Sequence, residues 1–256
     1  MKEGAAGDAC VRQMNQEGRK TGNAGGRHGR SGKPAKPPLT AGRIIATALS
    51  ILDREGYAGL SMRRLGRELG VDPMAIYHHI PGKLALLDRL VEVIMNEIDV
   101  SLDDPARPPE KRLLTAAHAY REALLAHPGL IQVVANRPPR TRAGLRPVDT
   151  LLGIFLDAGM GTADALAAVN IFAVYVRGAV MREAPHWFDL PGSEAVEMED
   201  DFSQVLPSLD PEEFPNIVKA APEWTFLGFE TEFERGALAL IHGLLETFGD
   251  RGGGNT

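Results

Sequence analysis

The side chains best suited to chemistry in this 256-residue chain are gathered between Leu60 and Lys83. The stretch reads Leu-Ser-Met-Arg-Arg-Leu-Gly-Arg-Glu-Leu-Gly-Val-Asp-Pro-Met-Ala-Ile-Tyr-His-His-Ile-Pro-Gly-Lys. Guanidinium, imidazole, phenol and hydroxyl groups of this kind bind phosphates and base edges, and the spacing tells how they are carried. Ser61 caps a short helix with Met62, Leu65 and Leu69 on its inner face, and Gly70 stops it. After Val71, Asp72 caps a second helix with Pro73 in its first turn, where proline costs nothing. That helix runs Met74–Ile80 and stops at Pro81-Gly82. Two short helices joined by a three-residue turn form a helix-turn-helix. The second helix has the size that enters a major groove, where base edges differ in donors, acceptors and methyls. The N-terminus of the first, at Ser61, Met62 and Arg63, can meet a phosphate through its N–H groups and dipole.

Other constellations carry less. His118 and Glu122 stand four apart, as metal ligands on one helix would, but no further ligand follows at a readable spacing. Gly159-Met-Gly-Thr-Ala-Asp164 starts like a dinucleotide motif, but Asp164 replaces the third glycine and no strand precedes it, so it reads as a helix end followed by a Thr162 cap. Arg137, Arg140, Arg142 and Arg146 read as a solvated basic loop. No Ser/His/Asp order or carboxylate pair stands out, so enzymatic activity has no support, and no cofactor or metal is expected. The single cysteine, Cys10, excludes a disulfide framework and a cysteine-based zinc site within one chain.

The elements that must position the helix-turn-helix are helical throughout. Thr40 is a good N-cap, and Ile44, Ile45, Ala48, Ile51 and Leu52 repeat at helical spacing up to Gly56. A fourth helix opens near Lys83, with Leu84, Leu87, Val91, Ile94, Met95 and Ile98 along one stripe. After a polar stretch at Ser101–Pro109 come amphipathic runs at roughly 110–126, 128–135, 146–158, 162–183 and 230–248. No strand alternation or repeat is present, so the fold class is all-α. The expected domains are a disordered basic arm (1–38), a DNA-binding domain (39–84), a connecting helix (85–100) and a ligand-binding and dimerisation domain (101–250). The longest apolar stretch, Ala165–Val176, is broken by Asn170 and too short for a bilayer. The N-terminus has no apolar core of a signal peptide. The chain reads as cytoplasmic, with no membrane partner.

Charge supports a DNA-facing end. The total is −6, but residues 1–38 hold eight bases and three acids, residues 39–83 six bases and four acids, and Asp189–Glu213 nine acids and no base. The last stretch reads as an exposed acidic loop. The arm has two readings: Arg27 and Arg30 enter the minor groove beside the helix-turn-helix, or the arm is a tail without contacts.

The motif also resembles the TetR family of transcriptional regulators. Gly56-Tyr57, the Leu60–Leu65 start, Leu69-Gly70-Val71, Ile76-Tyr77-His78-His79-Ile80 and Lys83 with Leu86-Leu87 fall at that family's spacings. Ala123-Leu124-Leu125-Ala126-His127, Asn136-Arg137-Pro138 and Phe233–Gly243 are similar to its tetracycline-repressor-like subclass. The resemblance implies a homodimer that binds a palindromic operator in double-stranded DNA and releases it when a small-molecule effector fills the C-terminal domain. It implies that Pro73–Ile80 is the recognition helix, with Met74 and Ala75 near thymine methyls, Tyr77 on a phosphate and His78 at base edges. His79 and Lys83 fall at backbone-touching positions, Arg63 at one that reads guanine, and Thr40 at the start of the head. It places Asp99, Ala116, Tyr120 and Val133 where tetracycline-binding members hold drug and magnesium. The magnesium-binding histidine is absent, which argues against a magnesium–tetracycline chelate and for a largely hydrophobic effector. Asn136, Arg137, Phe155, Asn170 and Val174 complete the candidate effector contacts, although Tyr120 reads equally well as core and Arg137 as a helix-end charge. The helices at 162–183 and 230–248 are the expected dimer pair. A regulator gated by a protein partner, with a collapsed cavity, is the alternative.

Overall fold

A computed structural model of the protein describes residues 37–184, 205–223 and 227–249. The arm with Arg27, Arg30 and Cys10, and most of the acidic stretch, lie outside the described residues. Among those described there are ten α-helices and no strand: α1 (Ala41–Gly59), α2 (Met62–Leu69), α3 (Pro73–Tyr77), α4 (Lys83–Glu97), α5 (Pro109–Ala126), α6 (Ile131–Asn136), α7 (Arg146–Asp157), α8 (Thr162–Glu183), α9 (Pro215–Ala220) and α10 (Phe229–Phe248). The all-α expectation holds. The described chain forms two compact units. Unit 1 runs to Asp99 and also includes Ala126–Pro147; unit 2 consists of Val100–Leu125 and the chain from Val148. The stretch Ala126–Pro147, which the sequence assigns to the sensor domain, therefore groups with the head.

In unit 1, α1 buries Ile44, Ile45, Ala48, Ile51 and Leu52, the predicted stripe. The regular helix breaks at Gly56, whose φ of 64° suits glycine, and a further turn carries the chain to Gly59. The third helix is shorter than predicted, ending at Tyr77 rather than Ile80. The N–H groups of His79 and Ile80 both donate to the Ile76 carbonyl at 2.9 Å, which tightens the last turn before Pro81. On α4 the buried set is Leu86, Leu87, Leu90, Val91, Val93, Ile94 and Met95. Leu84, expected on that stripe, is 66 % exposed because the buried face is centred one residue-step round the helix. The 3-10 turn Pro128–Leu130 packs on α1. A Cβ at Gly129 would collide with the Leu52 carbonyl and lie 2.8 Å from the Asp53 nitrogen.

In unit 2, α8 packs along α10. Phe155 of α7 meets Phe172 of α8 edge-on, ring centroids 6.3 Å apart. Phe233, Ala237, Ile241 and Leu244 bury the inner face of α10. The loop before α5 is pinned by Arg112, buried and bonded to Asp103 (2.7 Å) and Asp157 (2.8 Å). Gly159, at φ 87°, ends the α7 region, and Gly161 rather than Thr162 occupies the cap position of α8. The expectation that no stretch is long enough for a bilayer is corrected on length: the 22-residue α8 is long and apolar enough, by length and composition, to cross a membrane. A core helix meets the same criterion, and Ala165, Ala168, Val169, Phe172, Val176 and Val180 of α8 are buried within unit 2.

Two glycine substitutions should move stability in opposite directions. Gly129→Ala should lower it by about 1–3 kcal/mol through overpacking. Gly153→Ala, in mid-α7 with no atom within 4 Å of the new Cβ, should raise it by about 0.5–1 kcal/mol. Urea unfolding midpoints compare both with the parent chain.

Candidate nucleic-acid interface and effector residues

The head is built on three side-chain caps. Thr40 Oγ1 accepts from the Arg43 N–H at 3.2 Å, Ser61 Oγ from the Arg64 N–H at 3.1 Å, and Asp72 Oδ1 from the Met74 N–H at 2.8 Å. Each satisfies an orphan donor at a helix start, typically worth about 1 kcal/mol. Between α2 and α3 the chain turns through Gly70, at φ 66°. The turn lies directly on Gly66, where a Cβ would come within 3.1 Å of the Val71 oxygen and 3.2 Å of Pro73 Cγ. Gly66 thus sets how closely the two helices approach. Its spacing announces no such role; only its place inside the motif signals one.

A five-residue helix has no stability of its own. α3 is held by its Asp72 cap, by Pro73 and by Ile76, which is 0 % exposed. Everything else it offers faces outward or partly so. Met74 (64 % exposed), Tyr77 (41 %), His78 and His79 are exposed, while Pro73 and Ala75 are half-buried. Ser61 and Arg63 are exposed at the start of α2, with Thr40 and Met62 half-buried. Arg43 donates to the carbonyls of Pro37 and Pro38, so the last described residues of the arm are fastened to the head.

The cations of the head divide into two kinds. Arg64 binds Glu55 Oε1 at 2.6 Å and also Glu68, while Arg54 reaches Glu68 at 3.2 Å. Hydrogen bonds from Arg64 hold both carboxyls below their usual range. The i,i+4 spacing of Arg64 and Glu68 was legible; the Glu55 arm depends on tertiary packing. Lys83 donates to the Leu60 carbonyl at 2.8 Å and lies 4.4 Å over the Tyr57 ring, so it ties the start of α4 to the start of α2. Arg63 and Arg67 are exposed without a carboxylate partner among the described residues.

The effector candidates do not form one cluster within either unit. Asp99, Val133, Asn136 and Arg137 belong to unit 1, and Ala116, Tyr120, Phe155, Asn170 and Val174 to unit 2. Val133 and Phe155 are buried; Ala116 is half-buried. Tyr120 is 8 % exposed, and burial pushes its phenol up while Arg177 opposes the shift. Asp99 and Asn136 are exposed, and Asn136 donates to the Gln132 carbonyl of its own helix at 2.9 Å. Arg137 holds Asp88 at 2.5 Å, a partner the sequence did not reveal because the two lie 49 residues apart. Asn170 and Val174 are exposed on α8. Near Val174, a groove of about 490 Å³ runs between α8 and α10, floored by the stacked Tyr175 and Phe233 rings and edged by the Arg182–Glu232 ion pair. His118 faces Glu230 at 3.7 Å and the edge of Phe233.

These features define a helix-turn-helix DNA-binding protein with an appended helical domain, and the comparisons agree. The sequence profile of bacterial regulatory proteins, tetR family, matches residues 44–90, and that of the tetracyclin repressor-like C-terminal domain matches 105–248, more than half the chain. The protein belongs to the TetR family of transcription regulators. It is 32 % identical over 205 residues to the tetracycline repressor protein class C of Escherichia coli, covering 79 % of this chain and 89 % of that one. It is also 32 % identical over 148 residues to the HTH-type transcriptional repressor DrrR1 of Streptomyces coeruleorubidus, covering 56 % of this chain and 53 % of the relative, about half its length. The crystal structure of the TetR family protein ActR of Streptomyces coelicolor in complex with actinorhodin superposes with a TM-score of 0.70 at 28 % identity, covering 82 % of this chain and 99 % of that one.

One ionisable cluster in unit 1 was not foreseen. His127 Nε2 lies 3.0 Å from Glu97 Oε1, and its Nδ1 lies 3.9 Å from Asp53 Oδ2. The neighbouring Asp53 carboxylate and the bond to Glu97 raise the imidazole from about 6.5 to about 9. A raised folded-state value means stability that is fully present below about 6.5 and lost as pH climbs through about 9. The gap in urea midpoint between the parent chain and His127→Gln should therefore be wide at pH 6 and nearly closed at pH 10; a gap unchanged with pH contradicts the charged pair.

Proposed function

We propose that the protein is a homodimeric repressor that binds a palindromic operator and lets go when a small, largely hydrophobic effector occupies its C-terminal domain. The observation that carries the reading is α3 with the turn that follows it: Ile76 is buried, while Met74, Tyr77, His78 and His79 are exposed. A short helix with that distribution is suited to lying in a major groove. In this reading Met74 and Ala75 meet thymine methyls, Tyr77 and His79 meet phosphates, His78 and Arg63 read base edges, and Ser61 and Met62 present the α2 N-terminus to the backbone. Thr40 and Pro73 frame the two helices, Lys83 adds a backbone contact to its intramolecular one, and Arg27 and Arg30 reach the minor groove. Residues 39–84 act as the DNA-binding domain, 85–100 as the connecting helix and 101–250 as the sensor and dimerisation domain. Self-association through α8 and α10 is supported by the exposed Leu166, Ile171, Val174 and Met181 on α8.

For the effector, the apolar side chains of Ala116, Tyr120, Val133 and Phe155 favour an aromatic or aliphatic molecule, as does the likeness to a relative solved with actinorhodin. Asn136, Asn170, Val174 and Asp99 are further contacts in this reading, but Arg137 is already engaged by Asp88. The protein works by binding and not by catalysis, and its DNA target places it in the cytoplasm.

A gel shift with the DNA upstream of its own gene tests the core of this reading. The expected result is a sequence-specific complex of two chains per duplex, abolished by Tyr77→Ala with helical content unchanged. Retained specificity in that variant removes α3 from the interface. Deleting residues 1–38 should flatten log K against log salt by roughly 0.9 for each phosphate the arm neutralises; an unchanged slope assigns the arm no contact.

A further inference from the structure

Unit 1 is assembled from two pieces of chain, and the second piece is an insertion. Residues 126–147 leave unit 2 at the end of α5 and return to it in the first turn of α7. Covalently, a change in unit 2 reaches the head only at three places: the Asp99–Val100 junction, the Leu125–Ala126 junction and the Pro147–Val148 junction.

At the second of these lies the His127 cluster. The ring is half-buried and makes no capping bond to the 3-10 turn that follows it. It instead joins α4, through Glu97, to α1, through Asp53. Immediately beyond it, Gly129 lies against the α1 backbone at Leu52 with no room for a side chain. The short segment is thus seated on the first helix of the head by shape and fastened by charge.

The fastening is incomplete. Nδ1 of His127 and Oδ1 of Asp53 are buried without a hydrogen-bond partner. A charged imidazole with one firm carboxylate contact at 3.0 Å and one open contact at 3.9 Å has a second arrangement close by, in which Nδ1 donates to Asp53. A partly satisfied polar cluster at a chain junction is the kind of two-position element that coupling between sites requires.

We propose that His127, with Asp53 and Glu97, is the positioning latch through which residues 126–147 and the DNA-reading head sense each other's state. This rests on the reading of the head as a DNA-binding module. Coupling is reciprocal, so DNA on the head must be felt at the latch. Hydrogen exchange on the full-length protein, with and without a duplex of its own upstream DNA, measures this. In the parent chain DNA should slow exchange at 62–80, and at 127–136 by about fivefold or more, the lower end of ordinary coupling. In His127→Gln the protection at 62–80 should persist while the DNA-dependent change at 127–136 disappears. Glu97→Gln, which keeps shape and removes charge, should do the same and serves if the histidine variant fails to fold. An effect at 127–136 that survives in both variants, or is missing from the parent chain while 62–80 is protected, overturns the latch. No protection at 62–80 in the parent chain overturns the DNA-binding reading itself.

Discussion

The head depends on one close approach: the turn between α2 and α3 rests on Gly66. α3 is too short to hold its own backbone, so its direction is borrowed from α2 through that contact and through the burial of Ile76. The caps at Ser61 and Asp72 begin the two helices at fixed residues, and Gly70 supplies the left-handed turn between them. Lys83 then ties the exit of the turn back to its entrance at Leu60. Packing by one glycine, two local caps and the Lys83 bond is what converts a row of polar side chains into a surface of fixed shape.

The two units use charge in different ways. In unit 2, Arg121 is buried and bonds Glu183 and Glu230 across α5, α8 and α10, with Phe233 beneath it. Such a network, once complete, fixes how helices register, since removing one member strands a buried charge. Unit 1 instead places its incompletely bonded cluster where the inserted segment enters, while its Arg137 and Arg64 are each bonded to carboxylates elsewhere. Rigidity and compliance are thus assigned to different places.

Much of this was legible from the chain. Helix periods, caps and the glycine stops put seven of the elements nearly where they lie, because those signals are local. The exposed residues of α3 and the turn after it followed from the same signals, since a helix this short has no means of burying them. What the chain did not disclose was tertiary. Leu84 looked interior because a stripe of leucines fits two neighbouring faces of α4 equally well. The grouping of 126–147 with the head, the Arg137–Asp88 pair and the His127 cluster join residues 30 to 74 positions apart, and no period announces them. Asn136 and Arg137 matched a family pattern, yet Asn136 is bonded to its own helix and Arg137 to Asp88.

The pairing of Arg64 with Glu55 and Glu68 bears on how such a head would search a chromosome. A guanidinium already neutralised by its own protein releases no counter-ion from a random stretch of duplex, so it adds nothing to indiscriminate attraction. Among the arginines of α2, that attraction is then left to Arg63 and Arg67, which are exposed without a carboxylate partner among the described residues.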